Sequence, residues 1–241
     1  MTQKANECQA SLLAISQVSE RLVVELSRQS LEAGRLTEAL SLLEEGLTRA
    51  PHHEGLALEM ARVHITMRNY REAESLLTEI LAGCPNNQEA QLLVGELYEK
   101  TRNFERMRET FLKVVRQHPF HAVSHLWLGK ACLSLGLNLD ARDAFRKAIH
   151  LDSNLAAGHL GYARSLREEG ELMAAVEEYK LTLRLEPTNP EALYELANLF
   201  DALNQKDLAQ YHLRELTRLA PRESKWAQAA RDRLERQAKV N

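Results

Sequence analysis

Apolar residues follow the spacing of an α-helix face in both terminal segments of the chain. Near the carboxyl end, Trp226, Ala230 and Leu234 are four residues apart, and basic residues surround them. Because an α-helix turns once in about 3.6 residues, this spacing places the three side chains on one face. Residues 4–17 show a weaker form of the same pattern. Helices are therefore predicted in both terminal segments.

Between these segments, two apolar columns repeat with a period of 34 residues. The first column is small, with alanine in five of six places, and the second is large and lies four residues later. A small residue that repeatedly faces a large one predicts helices that pack against each other in pairs. The members are Ala39, Ala73, Met107, Ala141, Ala175 and Ala209 in the first column, and Leu43, Leu77, Phe111, Phe145, Tyr179 and Leu213 in the second.

Prolines and glycines with the same period mark the ends of the predicted helices. Gly34, Gly136 and Gly170 share one column and, because glycine accepts a positive φ, predict the ends of first helices. Proline cannot donate a helical hydrogen bond, so the proline column predicts the ends of second helices. Pro190 is predicted to open a helix at its first position. The proline column is Pro51, Pro85, Pro119, Pro187 and Pro221, with Ser153 in the place of a missing member.

These columns resemble the tetratricopeptide repeat, whose pattern runs from alanine through a large apolar or aromatic residue to proline. The first half of the pattern is looser and is clearest where Val94-Gly95 is followed by Tyr98. The resemblance implies an all-α fold, a right-handed α-solenoid built from antiparallel helix pairs. The tryptophan of the family pattern is absent from its column, which reads Val23, Ala57, Gln91, His125, His159 and Leu193.

Six repeats fit this frame and cover 204 of the 241 residues. Residues 1–19 are expected to form an N-terminal helix or a degenerate half repeat. Residues 224–241 are expected to form a C-terminal capping helix, because the end of a stack needs a polar outer face. So few residues lie outside the repeats that no further domain is expected. The predicted bounds of the six repeats are 20–53, 54–87, 88–121, 122–155, 156–189 and 190–223.

Composition and charge narrow the classes of function. The net charge of −3 disfavours a dedicated nucleic-acid binder, which depends on clustered Lys and Arg. No run approaches the roughly 18 apolar residues of a membrane span, and the first apolar stretch is too short for a signal peptide. Cys8, Cys84 and Cys132 form no CxxC pair and fit free thiols in a reducing compartment. The protein is expected to be soluble and cytoplasmic, without a membrane span.

Motifs for catalysis or metal binding are weak in this sequence. No complete phosphate loop, HExxH or GxSxG motif occurs. His118, His121 and His125 come nearest to a metal cluster, but His125 lies in a packing column that holds His159 one repeat later. We therefore expect no metal, no cofactor and no enzymatic activity.

The resemblance implies that the first helix of each repeat lines a concave wall, where stacked helix pairs usually bind partners. One column of this wall is cationic at four of six places: Arg28, Arg62, Lys130 and Arg164. Because the net charge of the protein is negative, these residues predict a basic stripe that binds a partner. Ordinary solvation of a helix face is the alternative.

Apolar residues are predicted on the same wall, between the cations. Trp127 is expected to be partly exposed over Lys130, with packing of Trp127 between helices as the alternative. An exposed aromatic ring beside cations suggests a binding hot spot for a peptide or helix that carries apolar and acidic residues. The predicted apolar contacts are Leu92, Leu93, Val123, Leu126, Trp127, Leu160 and Tyr194.

The leading function is therefore an adaptor that binds a partner protein, and the alternative is a scaffold. Such a scaffold would self-assemble, or join a larger complex, through its end repeats and convex face. RNA binding is disfavoured by the charge and by the aromatic content of 5%. Capture of a chaperone's C-terminal carboxylate is not expected, because the next repeat offers Glu59 after Arg28 and Gly161 after Lys130.

Overall fold

The computed structural model describes residues 20–221 and 224–238, and the regular structure of these residues is helical throughout. The chain divides into two compact units, residues 1–103 and 104–241, which are described separately. The helix or half repeat predicted for residues 1–19 lies outside the described residues. Across the described ranges, no helix is both long and apolar enough to cross a membrane.

The described residues of unit 1, 20–103, form five helices that pack in chain order. Each contacts the next along the chain, and α3 also contacts α5. Short turns join the helices, so neighbours run antiparallel. The helices are α1 (20–32), α2 (Leu36–Arg49), α3 (Glu54–Thr66), α4 (Tyr70–Gly83) and α5 (Gln88–Thr101).

In unit 2, residues 104–221 and 224–238 form eight helices with the same kind of packing. Consecutive helices contact each other, and α7 also contacts α9. The last helix, α13, packs on α11 and α12 through Trp226, Ala230 and Leu234, as predicted for a capping helix. The helices are α6 (Phe104–Gln117), α7 (Ala122–Ser134), α8 (Asn138–Leu151), α9 (Ala156–Glu168), α10 (Leu172–Leu185), α11 (Pro190–Ala202), α12 (Lys206–Leu219) and α13 (Lys225–Ala238).

The two apolar columns contribute to the core of both units. All twelve side chains, from Ala39 and Leu43 in the first pair to Ala209 and Leu213 in the last, are fully buried. The small residue lets neighbouring helices approach, and the large residue one turn later fills the space between them. The predicted all-α fold of helix pairs is confirmed.

One conformation recurs in every turn between the two helices of a pair. Six residues in a single column have positive φ, between 53° and 81°. The following amide donates a hydrogen bond of 2.8–3.0 Å to the carbonyl five residues earlier, which is the Schellman motif. Glycine was predicted to end first helices in this column, yet arginine and asparagine adopt the same conformation. The column is Gly34, Arg68, Arg102, Gly136, Gly170 and Asn204.

Asparagine caps two of the first helices at their amino ends. The Oδ1 atom of Asn87 accepts a hydrogen bond from the amide of Ala90, and Asn189 does the same for Ala192. Pro190 occupies the first turn of α11, as predicted, because its missing amide hydrogen is not needed there.

Candidate partner-binding site

The residues predicted to bind a partner lie on the first helices of the pairs. In unit 1 these helices are α1, α3 and α5, and we call their surface the first-helix wall of unit 1. In unit 2, α7, α9 and α11 form the first-helix wall of unit 2. Unit 1 holds Arg28, Arg62, Leu92 and Leu93, and unit 2 holds Val123, Leu126, Trp127, Lys130, Leu160, Arg164 and Tyr194.

Charged side chains alternate along the first-helix wall of unit 1. Arg28 Nε donates a hydrogen bond of 2.7 Å to Glu59 Oε1, which raises the pKa of Arg28. Arg62 Nη2 donates one of 2.6 Å to Glu89 Oε1, and Arg62 Nε lies 3.5 Å from Glu59 Oε2. The Glu59 side chain is only 2% exposed. We call Arg28, Glu59, Arg62 and Glu89 the ion-pair ladder.

Similar pairs connect α9 to α11 in unit 2. Arg164 donates to Glu191, and Arg167 donates to Glu195. At the end of unit 2, Arg233 of α13 donates to the side chains of Asn198 and Asp201 of α11. These contacts join successive first helices by charge-assisted hydrogen bonds, which are stronger than those between neutral groups.

Arg28, Arg62 and Arg164 of the predicted basic stripe are not free cations, and their binding role stays a prediction. Each of them is paired with a carboxylate of the following first helix. The acceptors also follow the period, since Glu59 and Glu195 share one column while Glu89 and Glu191 share another. Reading these acidic columns together with the basic one would have predicted the pairs.

On α7 and α9, the first-helix wall of unit 2 has no glutamate in the two acidic columns. In repeat 5 the two acidic columns hold Ala157 and Gly161 instead of glutamate. Lys130 is half-buried, and its Nζ atom lies 4.1 Å from the centre of the Trp127 ring, a cation–π contact. This part of the wall therefore combines apolar residues with the half-buried Lys130.

Trp127 is core rather than surface, so the expectation of partial exposure is wrong. It is 4% exposed, and its ring stacks on Phe111 with a centroid distance of 6.1 Å. Its Nε1–H group is buried and has no hydrogen-bond partner among the described residues. The alternative of the sequence analysis, packing between helices, is the arrangement observed.

The other predicted apolar contacts differ in accessibility. Leu93, Leu126 and Leu160 are buried, because their side chains pack between neighbouring helices. Leu92 is 45% exposed. Val123 and Tyr194 are half-buried, and the Tyr194 ring packs at 5.3 Å from the ring of Trp226. The binding role of these residues stays a prediction.

A polar side chain in three repeats hydrogen-bonds a carbonyl six residues back. The acceptors are the carbonyls of Pro85, Pro119 and Ser153, in the proline column. We call these three contacts the back-bonds. The donors are Gln91 Nε2 at 2.6 Å, His125 Nε2 at 2.9 Å and His159 Nε2 at 3.1 Å.

The back-bond gives His125 a structural role in place of a metal-binding one. Burial lowers the pKa of His125, despite its bond to the Pro119 carbonyl. His121 Nδ1 lies 2.8 Å from Ser124 Oγ, which orients a second member of the histidine cluster. Within residues 20–221 and 224–238, no group of three or more His, Cys, Asp or Glu side chains could hold a metal ion.

Sequence comparison identifies one family along most of the chain. Models described as tetratricopeptide repeat match residues 30–97, 98–156 and 191–222, and one described as TPR repeat matches residues 163–204. No curated protein sequence matches the chain.

Solved structures with the same fold include PilF, PilW and a bacterial tetratricopeptide repeat protein. Pseudomonas aeruginosa PilF is 20% identical, with a TM-score of 0.69, and the match covers 90% of this chain and 99% of that one. PilW, a type IV pilus biogenesis factor, is 18% identical, with a TM-score of 0.70 and coverage of 88% and 98%. A tetratricopeptide repeat protein from Parabacteroides merdae is 15% identical, with a TM-score of 0.70 and coverage of 92% and 87%. At these identities the likeness shows the fold alone.

Proposed function

The chain belongs to the tetratricopeptide repeat family, and from this premise we propose that it is a non-catalytic module that binds a segment of a partner protein. The family and its fold support a role in protein interaction or scaffolding. The finer proposal concerns the place and the chemistry of binding. It assigns the partner to the first-helix wall of unit 2, on α7 and α9.

The observation that carries this proposal is the contact of Lys130 with Trp127. The ring holds the ammonium group 4.1 Å from its centre, so the cation has a fixed position on an otherwise apolar surface. Half-buried Val123 and Ala157 lie on the same pair of helices. A fixed charge surrounded by apolar groups gives direction to a bound segment, because an acidic residue of the partner must meet the charge.

The proposed partner is an extended or helical segment with apolar residues and one acidic residue opposite Lys130.

Selection from a library of random peptides displayed on phage tests this proposal. The protein should enrich peptides that combine apolar residues with Asp or Glu, and Lys130→Met should lower their affinity at least tenfold. Lys113→Met is the matched control, since Lys113 is an exposed lysine on α6. Enrichment that survives Lys130→Met, or that favours basic peptides, would refute the proposal.

A scaffold function has one specific observation in its favour. Leu139 on α8 and Met173 on α10 occupy the same position in successive repeats and are 65% and 63% exposed. Large apolar side chains exposed in a row are typical of surfaces that bind another protein, including a second copy of the chain. Light scattering distinguishes this function: Leu139→Glu should abolish any rise of mass with concentration. A monomer at every soluble concentration of the unmodified protein would exclude self-assembly.

A further inference from the structure

Unit 1 contains a cavity of about 480 Å³ between α2, α3 and α4. Its apolar lining comes from one residue of α2, one of α3 and two of α4: Leu47, Ala57, Leu76 and Ile80. The volume falls within the range of about 300–1,000 Å³ that is usual for ligand-binding clefts. All of these residues belong to unit 1, so the cavity is independent of the proposed binding surface on unit 2.

Repeat 2 lacks the back-bond at this cavity. Ala57 takes the position that holds Gln91, His125 and His159 in repeats 3, 4 and 5, and an alanine side chain cannot reach the carbonyl of Pro51. Pro51 and Ala57 both line the cavity, so the space that a longer side chain would take is part of it.

The charged groups at the cavity are acidic. Glu54 and Glu79 line it, while no lysine or arginine does so within the described part of unit 1. His53 also lines it, but its Nδ1 atom accepts a hydrogen bond of 3.1 Å from the amide of Leu56, and its Nε2 atom lies 3.4 Å from Glu20. The histidine is therefore held by its neighbours. Glu54 accepts a hydrogen bond from the side chain of Asn87, and Glu79 is exposed, so both acidic groups carry their negative charge at the opening.

We propose that this cavity binds a segment of a partner protein in which a large apolar side chain is next to a lysine or arginine. The apolar residue enters between Leu47, Leu76 and Ile80 and removes its surface from water. The aliphatic part of the basic side chain follows it, and its charged end stays at the opening beside Glu54 and Glu79. The two carboxylates select the basic neighbour over an acidic one.

Three capped tetrapeptides test the chemistry of the proposed partner: Ala-Trp-Lys-Ala, Ala-Trp-Glu-Ala and Ala-Ala-Lys-Ala. Binding is measured on the full chain by titration of its ¹⁵N amide signals. The Trp-Lys peptide should bind at least tenfold more tightly than each of the other two and should shift the amides of α3 and α4. Equal binding of the Trp-Lys and Trp-Glu peptides, or shifts confined to unit 2, would overturn the proposal.

Ala57→Gln tests the position of the binding site. This substitution fills the cavity and supplies a donor toward the Pro51 carbonyl, as Gln91 does toward Pro85. It should lower the affinity for the Trp-Lys peptide at least tenfold. Ala82→Gln, the same change at an exposed position of α4, should leave binding unchanged. Unaltered affinity in folded Ala57→Gln protein would place the site elsewhere.

If the Ala57→Gln protein does not fold, Glu79→Gln still tests the proposal. Glu79 is exposed, so this substitution should not disturb folding. It should lower the preference for the Trp-Lys over the Trp-Glu peptide by about fivefold. Glu72→Gln, at another exposed position of α4, is the matched control. An unchanged preference in a double variant of Glu54 and Glu79 would refute the charge selection.

Discussion

The substitution Gly161→Ala tests how tightly the helix pairs of unit 2 are packed. A β-carbon at Gly161 would lie 2.5 Å from Cζ and 2.6 Å from Cδ1 of Phe145, far inside the contact distance of about 3.5–4.0 Å. The Phe145 ring is fully buried. Its movement away from α9 is restricted, because Gly129 of α7 is also close: a β-carbon there would lie 2.7 Å from Cδ1.

Two opposing terms set the expected magnitude. Overpacking of a core costs about 1–3 kcal/mol, and the upper end applies because the ring is held on both sides. Alanine in place of glycine within a helix returns about 1 kcal/mol. The net loss should be about 2 kcal/mol of unfolding free energy, which corresponds to a fall in Tm of about 4–8 °C for a chain of this size.

Urea unfolding followed by circular dichroism measures this loss. Gly83→Ala is the matched control, because nothing lies within 4 Å of a β-carbon at the end of α4. That variant should be unchanged or more stable by up to about 1 kcal/mol. Phe145→Leu combined with Gly161→Ala should lose less than the sum of the two changes, since both act on the same contact. If Gly161→Ala is as stable as Gly83→Ala, the inferred close packing is wrong.

Three further predictions concern single side chains. Trp127→Ala should lose about 3–5 kcal/mol of unfolding free energy in urea, and a loss below about 1 kcal/mol would indicate the exposed position first expected for it. Burial lowers the pKa of His125, so the unfolded chain binds the proton more readily and stability falls as the pH drops through about 6.5. His125→Gln keeps a back-bond like that of Gln91 and should lose less stability between about pH 7.5 and 5.5, and equal losses would contradict this cause. Iodoacetamide should modify exposed Cys84 in the native protein well before Cys132, whose pKa is raised by burial; peptide mass spectrometry would reveal equal rates if this is wrong.

The helix pairs could be predicted because each column, taken alone, indicates which positions are buried. Ala39 and Leu43 begin columns in which residue type alone indicates burial, and every member is buried in the structure. The left-handed turn was predicted only where glycine marks it. Arg68 and Arg102 adopt the same backbone conformation, but their residue type gives no sign of it. Only their position in the repeat period shows that Arg68 and Arg102 belong to the same column as the glycines.

The binding wall could be predicted only in part, because its chemistry depends on pairs of columns. Arg28 and Glu59 are 31 residues apart, and neither residue alone shows that the two charges meet. The exposure of Trp127 depends on the position of the Phe111 ring, which helical spacing does not give. The cavity at Ala57 likewise requires knowledge that the equivalent side chains bond backward to a carbonyl.

One turn conformation recurs in six repeats, although the residue that adopts it varies. Arginine adopts positive φ at a cost of about 1–2 kcal/mol relative to glycine, and asparagine at a smaller cost, yet the amide that follows keeps the same hydrogen bond. The turn must therefore be imposed by the two helices that it joins. The packing of one helix on the other therefore recurs along the chain, whereas the identity of the residue in the turn varies. A helix pair should accordingly retain its geometry when its turn sequence is exchanged with that of another repeat.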